Sequence, residues 1–114
     1  MTKAAYNRSD GIIIAFDVTA PESFSNVLSW ISSIRENAAP GIPKILVGNK
    51  CDLDEERVIT KEMAEKVAAE NDMNYHDVSA KTNTNIDLFM NEIMEKVFDY
   101  KFKEEPKREK SIVI

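Results

Sequence analysis

The chain has 114 residues, of which 43% are hydrophobic and 31% charged, and its formal net charge is −5. This length and composition suit one globular domain with a small core. The negative charge argues against nucleic-acid binding, which needs a clustered basic surface. The longest apolar run, at positions 11–16, is too short to span a membrane. A single cysteine excludes an intrachain disulfide and fits a reducing compartment, so we expect a cytoplasmic protein.

The first predicted elements are a strand and a helix. Gly11–Val18 is apolar on both faces, which predicts a buried parallel strand. Pro21 suits the first turn of a helix over roughly Pro21–Ala38, which Pro40-Gly41 ends. The apolar stripe predicted for this helix consists of Phe24, Val27, Leu28, Ile31 and Ile34.

The same alternation of strand and helix follows twice more. Lys44–Gly48 predicts a second buried strand, Thr60–Asn71 a second helix, and Tyr75–Val78 a shorter, more polar strand. Asn85 is suited to cap a last helix. The apolar faces predicted for these two helices are Met63, Ala64, Val67 and Ala68, and then Ile86, Phe89, Met90, Ile93 and Val97. The pattern predicts an α/β fold, βαβαβα, in which helices flank a parallel β-sheet.

Two polar loops follow the second and third predicted strands. The first reads Asn49-Lys50-Cys51-Asp52 and the second Ser79-Ala80-Lys81. One strand–helix–strand unit separates them, so neighbouring parallel strands bring both loops to the same edge of the sheet. Because ligands of such sheets bind beyond the carboxyl ends of the strands, one ligand can contact both loops.

This pair of motifs resembles the guanine-reading motifs of the small GTPase family. Asp17-Val18-Thr19, Ser23-Phe24 and Trp30 favour its Rab branch. The resemblance covers roughly 1–102, as the C-terminal portion of a small GTPase domain, and leaves 103–114 as a charged flexible tail. It implies a partial P-loop GTPase-type three-layer fold. It also implies a GTP-hydrolysing switch in vesicle-mediated transport, with exchange factors, GTPase-activating proteins and effectors as partners.

The chemistry of guanine explains the aspartate of the first motif. Guanine presents two parallel donors, N1–H and the 2-amino group, and a carboxylate such as that of Asp52 accepts both. Adenine has an acceptor at N1 and no 2-amino group, so the same carboxylate disfavours it. The resemblance further implies that Asn49 positions the loop and approaches the N7 side, and that the Ala80 N–H donates to the guanine carbonyl.

The remaining motif residues receive their roles from the resemblance. It implies that Lys50 lays its alkyl stem along one face of the base, that Lys81 covers the other face, and that Ser79 braces its loop. Taken alone, Asn-Lys-x-Asp also fits a simple turn, because asparagine and aspartate favour turns. The ordered combination of both motifs, each after a strand, favours the guanine interpretation.

The phosphate-binding motif of the family is absent from this sequence. Its three glycines, Gly11, Gly41 and Gly48, do not form Gly-x-x-x-x-Gly-Lys-Ser/Thr, and the segment with the catalytic glutamine is missing too. We therefore expect no catalytic residues, contact with GTP or GDP through the base only, and no ligands for the Mg²⁺ that the family implies. Base contacts alone predict roughly millimolar affinity. Aligned to the family, the missing segment falls upstream of Met1, which suggests either a truncated gene product or an incomplete gene model.

The absent first strand of the family also affects the sheet. We expect Ile12–Phe16 to present an open apolar edge, which favours self-association. The segment Lys107–Ile114 contains no cysteine, so the resemblance implies no lipid anchor in this form, although family members sit on endomembranes.

Three functions compete on this sequence. The first is the guanine-binding switch. The second is a non-hydrolysing pseudo-GTPase fragment that acts as a protein-interaction module. The third is a different α/β enzyme whose loops mimic the motifs. Preference for guanine over other bases separates the first from the third, and partner capture without nucleotide favours the second.

Overall fold

The computed structural model describes residues 10–38, 41–104 and 112–113. Pro40, predicted to end the first helix, and most of the predicted tail lie outside this range. The described elements, in chain order, are β1 (Gly11–Asp17), α1 (Pro21–Asn37), β2 (Lys44–Asn49), a 3-10 turn (Asp54–Glu56), α2 (Lys61–Glu70), β3 (Asn74–Asp77), α3 (Ile86–Glu104) and β4 (Ile112–Val113). The strands and the first two helices differ from their predicted bounds by one residue at one or both ends, the usual scatter of element ends.

Within these residues the four strands form one parallel sheet in the order β3-β2-β1-β4. The parallel sheet predicted from the first three strands is confirmed. β1 is buried along most of its length, as its two-sided apolar pattern predicts. Its side chains alternate between the two faces of the sheet, so Ile12 and Ile14 belong to one cluster and Ile13 to another.

Helices cover both faces, which confirms the three-layer α/β architecture. One buried cluster joins the sheet to α1 and α2 through Val27, Ile31, Ile34, Ala64 and Ala68. The other joins it to α3 through Phe89, Ile93 and Val97. In the described part of the chain, no helix combines the length and the apolar character that a membrane span requires.

The helix stripes were predicted slightly too wide. Leu28 and Met63 are 49% and 45% exposed, because both lie at the margin of their stripes. Asn85 also behaves differently from a side-chain cap: its carbonyl accepts the N–H of Phe89, but its side-chain Nδ2 donates to the Asp77 carbonyl at 2.7 Å. The side chain of Asn85 therefore fastens a loop to β3.

The strand β4 covers part of the β1 edge, which was predicted to be open. Ile112 pairs with Gly11 and Val113 with Ile12, so the start of this edge is covered. In the described residues the pairing extends no further along β1, and self-association through the remaining edge stays a prediction. The flexible tail over 103–114 stays a prediction; of these positions the structure describes 103–104, at the end of α3, and Ile112–Val113, which form β4.

A buried ion pair joins the start of the sheet to the last helix. Lys101 Nζ donates to Asp10 Oδ2 at 3.3 Å, and the two side chains are 3% and 0% exposed. A buried pair of this kind is strongly destabilising when one partner is removed. It therefore fixes the C-terminal part of α3 against the residue that precedes β1.

Candidate functional site

The candidate loops leave the sheet side by side. Asp17, at the end of β1, pairs in register with Asn49, and Gly48 pairs with Asp77 at the end of β3. The loops after all three strands therefore begin at one edge, as the parallel arrangement predicts. This edge is where ligands of open α/β sheets bind.

The loop after β2 is a turn built around a left-handed residue. Lys50 has φ of 67°, an uncommon conformation for a residue other than glycine. The Asn49 side chain accepts the Lys50 N–H at 2.8 Å, and the Lys50 carbonyl accepts the Leu53 N–H at 3.0 Å. The loop-positioning role of Asn49 stays a prediction. The Asn49 carbonyl also accepts the Val18 N–H at 3.1 Å, which attaches the loop to the end of β1.

The loop after β3 closes on itself. Ser79 and Thr84 exchange two backbone hydrogen bonds, of 3.2 and 2.9 Å, and the Ser79 hydroxyl accepts the Thr82 N–H at 3.2 Å. Asn83 and Asn85 have φ of 57° and 58°, which asparagine tolerates better than most residues. Ser79 is 1% exposed, whereas Ala80 and Lys81 are exposed. The loop therefore has a buried, hydrogen-bonded base and an accessible tip.

Two contacts join the loops to each other. The Ser79 hydroxyl donates to Asp52 Oδ1 at 2.6 Å, and the Cys51 N–H donates to the Val78 carbonyl at 3.1 Å. Between the loops lies an open cavity of about 300 Å³. Its lining comprises the six residues predicted from the sequence, Asn49, Lys50, Asp52, Ser79, Ala80 and Lys81, together with Leu53.

Leu53 was missed because a single leucine after a polar motif carries no chemical signal in the sequence. Its place next to Asp52 in the turn adds an apolar wall to a cavity otherwise lined largely by polar side chains. An apolar wall beside a carboxylate suits a flat heterocycle with donors on one edge. Binding by the six predicted residues remains a prediction.

Lys50 connects the cavity to the loop after β1. Its Nζ lies 2.7 Å from Asp17 Oδ2, and Asp17 Oδ1 accepts the N–H and the hydroxyl of Thr19 at 2.8 and 2.6 Å. The hydrogen bonds from Lys50 and Thr19 lower the pKa of Asp17 to about 2, and the bond to Asp17 raises the pKa of Lys50. Asp17 thus anchors the lysine side chain.

The cysteine of the first motif is not activated. Burial raises the pKa of the Cys51 thiol, and the nearby carboxylates of Asp77 and Asp52 raise it further. Because the thiolate is the reactive form, Cys51 is a poor nucleophile here.

A network that sequence reasoning missed is centred on Asp77, at the end of β3. The Arg57 guanidinium donates to both carboxylate oxygens of Asp77 at 2.8 Å, and the Tyr75 hydroxyl donates to the same carboxylate. Asn85 bonds the Asp77 carbonyl, as described above. We call Arg57, Tyr75, Asp77 and Asn85 the Asp77 brace. An arginine in a polar loop and an aspartate at a strand end are its only sequence signals, and nothing in the sequence pairs them.

A larger cavity, of about 370 Å³, lies at the opposite end of the sheet. It is bounded by the ends of α1 and α2 and the start of β2, and it contains both cationic Arg35 and Lys44 and acidic Glu70 and Asp72. It includes none of the predicted site residues. We place the candidate site at the smaller cavity, where the predicted chemistry converges.

Metal-binding side chains are not clustered in the described part of the chain. No group of three histidine, cysteine, aspartate or glutamate side chains in this part of the chain is arranged to hold a metal ion. No step is therefore assigned to a metal.

Comparison with known proteins identifies the family of the chain. A family model described as the Ras family matches residues 1–99. The chain belongs to the Ras family. Ras-related protein Rab-13 of Mesocricetus auratus is 40% identical over 93 residues, which cover 82% of this chain and 46% of the relative. Ras-related protein Rab-10 of Caenorhabditis elegans is 33% identical over 97 residues, which cover 85% of this chain and 48% of the relative.

The Rab-type resemblance deduced from the sequence is thereby confirmed. A third relative, Ras-related protein Rab-8A of Gallus gallus, is 38% identical over 87 residues, which cover 76% of this chain and 42% of the relative. The matched region spans less than half the length of each of these Rab proteins. The described residues of this Ras-family chain include the sheet edge that holds the cavity between the two motif loops.

Proposed function

We propose that this Rab-like chain recognises the base of guanine nucleotides through the cavity between its two motif loops. The observation that supports the proposal is the convergence of six residues, predicted from two separate motifs, around one cavity. Asp52 supplies a carboxylate there, and its Oδ1 is held by the Ser79 hydroxyl at 2.6 Å. A carboxylate oriented before the ligand arrives loses less side-chain freedom on binding.

Within this proposal each residue has a distinct task. Asp52 accepts from N1–H and the 2-amino group, and Ala80 donates its N–H to the guanine carbonyl. Lys50, held by Asp17, and Lys81 cover the two faces of the base. Asn49 approaches the N7 side, and Ser79 orients Asp52. No phosphate contact and no hydrolytic step is assigned to this chain.

At the level of the family, we extend the proposal to the switch role. The whole protein would alternate between GTP- and GDP-bound forms in vesicle-mediated transport at endomembranes. Its partners would be exchange factors, GTPase-activating proteins and effectors. The guanine preference of the cavity is the part of this role that the present chain itself can reveal.

A second candidate function is a protein-interaction module without hydrolysis. The observation that favours it is an aromatic pair on α3: Phe98 and Phe102 lie with ring centroids 4.2 Å apart and are 46% and 58% exposed. Large apolar side chains clustered on a surface are typical of protein–protein contacts.

A nucleotide titration of the 114-residue chain, followed by ¹H–¹⁵N NMR, tests the proposal. We expect GDP to shift the amides of Asp52 and Ala80 with a dissociation constant of ~1 mM, and ADP to bind at least about tenfold more weakly. Equal binding of ADP would contradict guanine recognition and favour a different α/β enzyme. A folded chain that responds to neither nucleotide would favour the interaction module. Micromolar GDP binding would show that this chain holds the phosphates as well.

A further inference from the structure

Asp77 is bonded to segments from both sides of the cavity. It ends β3, two positions before Ser79, and its carboxylate receives the two 2.8 Å hydrogen bonds from Arg57. Its backbone carbonyl receives the 2.7 Å bond from Asn85, which follows the second motif loop. One residue is thus bonded to the segment after the first loop and to the end of the second.

Arg57 is held in one orientation by the rest of its guanidinium group. Its Nε donates to the Ile59 carbonyl at 2.6 Å, and its side chain is 13% exposed. The hydrogen bonds with Asp77 raise the pKa of Arg57. Burial raises the pKa of Asp77, but the bonds from Arg57 and Tyr75 lower it overall. Both groups are therefore charged at neutral pH, and a bidentate pair of this kind fixes geometry as well as charge.

A short, hydrogen-bonded segment connects Arg57 to the cavity. The 3-10 turn Asp54–Glu56 intervenes, with the Glu56 N–H bonded to the Leu53 carbonyl and the Arg57 N–H to the Asp54 carbonyl. Arg57 does not itself line the cavity. Its influence on Leu53 and Asp52 therefore passes through this turn.

We infer that Arg57 is a positioning residue which, through Asp77, holds the Asp52 loop in register with the Ser79–Lys81 loop and so sets the preference for guanine. For its ligand this inference rests on the proposed function. Loss of the two hydrogen bonds from Arg57 to Asp77 would let the two loops shift against each other. The donors and acceptors of the loops would then no longer match those of guanine.

The test compares the 114-residue chain with its Arg57→Lys variant, which keeps the charge but loses the fork. Arg35→Lys is the matched control, because Arg35 bonds Asn71 at the opposite end of the sheet. The first readout needs no ligand: exchange of the Cys51 amide, which donates to Val78 between the loops. We expect it to be about tenfold faster in Arg57→Lys and unchanged in Arg35→Lys.

The second readout is the ratio of GDP to ADP affinity, measured by the same NMR titration. We expect GDP affinity to fall about tenfold in Arg57→Lys and the preference over ADP to narrow. A loss of overall stability alone does not change this ratio in the folded molecules. If Arg57→Lys does not fold, Tyr75→Phe removes one hydroxyl from the Asp77 brace and is expected to shift both readouts in the same direction by a smaller factor.

The outcomes separate the two proposals. A folded Arg57→Lys chain with unchanged Cys51 exchange and an unchanged GDP-to-ADP ratio would overturn the positioning role. A parent chain without guanine preference would overturn the proposed function, and the exchange of Cys51 would then decide by itself whether Arg57 organises the loops.

Discussion

The Ser79 hydroxyl donates a 2.6 Å hydrogen bond to Oδ1 of Asp52, and so the buried base of one loop holds the exposed carboxylate of the other. The hydroxyl simultaneously accepts the N–H of Thr82 at 3.2 Å. Its donor and one acceptor position are therefore both used, and its orientation is determined from two directions. The carboxylate of Asp52 lies in the cavity lining with its direction set before any ligand binds.

Asp52→Asn is expected to change which base the cavity prefers. Asparagine keeps an oxygen for the Ser79 hydroxyl but replaces one acceptor by an amide donor. The site then offers guanine one acceptor fewer. It offers a new donor to xanthine, which carries a carbonyl in place of the 2-amino group. We expect GDP affinity to fall at least about tenfold and XDP affinity to rise by a similar factor, measured by NMR titration.

Asp54→Asn is the control for this exchange, because it makes the same change of charge in the same loop outside the cavity lining. It is expected to leave base preference as it was. If Asp52→Asn likewise left the preference for GDP over XDP untouched, Asp52 would not be the base-reading residue.

Ser79→Ala is expected to destabilise the fold. The substitution removes a buried hydroxyl and leaves the Thr82 N–H without the bond described above. We expect a loss of about 1–2 kcal/mol in the free energy of unfolding, measured with urea. Ser25→Ala is the comparison, since that exposed hydroxyl makes only a 3.5 Å bond to the Pro21 carbonyl. Equal effects of the two substitutions would argue against the bracing role of Ser79.

The ion pair of Asp17 and Lys50 predicts a specific behaviour in acid. Because the folded-state pKa of Asp17 is lowered from 3.8 to about 2, its contribution to stability is present above about pH 4 and is lost as the pH falls towards 2. The effect on stability is small, since the pair is exposed to solvent. ¹³C NMR of the Asp17 carboxyl checks the titration directly.

Lys50→Asn removes the cation and keeps a residue that tolerates the positive φ. We expect the carboxyl pKa of Asp17 to rise in this variant, and to remain unchanged in Lys61→Asn, which removes a cation outside the loops. An Asp17 that titrated identically in both variants would show that Lys50 does not determine its pKa.

Gly48→Ala is expected to displace Tyr75, a residue of the Asp77 brace, from β2. A Cβ at this position would lie 2.1 Å from the Tyr75 hydroxyl oxygen and 3.0 Å from Tyr75 Cζ, so the ring has to move. Overpacking of this kind typically costs about 1–3 kcal/mol, which chemical denaturation measures. Tyr75→Phe removes the hydroxyl oxygen, which lies nearest to the added Cβ. In the double variant, this substitution is expected to recover part of the lost unfolding free energy.

Gly41→Ala supplies the contrast. Gly41 has φ of +77° and open space around its Cβ position, so its substitution strains the backbone without touching Tyr75. In the double variant, we expect the loss of unfolding free energy from Gly41→Ala to add to that from Tyr75→Phe, without coupling between the two substitutions. Coupling of similar size at both glycines would mean that the crowding at Gly48 is not specific to Tyr75.

Much of the architecture follows from local patterns in the sequence. The run of isoleucines in β1 is apolar on both faces, and both faces are covered by helices. The stripe of α3 is equally direct, since Ile93 and Val97 are fully buried. The proximity of the six cavity residues could be predicted from the sequence, because parallel strands place their carboxyl ends at one edge of the sheet. Topology thus converts two separate motifs into one location.

Other features depend on contacts that no local pattern encodes. Arg57 and Asp77 are twenty positions apart, and only the folded chain shows that their side chains meet. The strand β4 is two residues long and follows a charged segment, so its pairing with β1 depends on an edge created elsewhere in the fold. Leu28 and Met63 carry a helical apolar signal, but their burial depends on how far neighbouring elements extend.

The pair of Asp10 and Lys101 has a consequence for the order in which the chain is made and folds. A ribosome releases Asp10 and the strands β1 and β2 before α3, and these strands have nearby sequence partners. The cation that meets Asp10 lies 91 positions further on, in the C-terminal part of α3. Closing so long a loop is slow compared with local pairing. We therefore expect α3 to pack against the sheet next to Asp10 only after synthesis has passed Lys101.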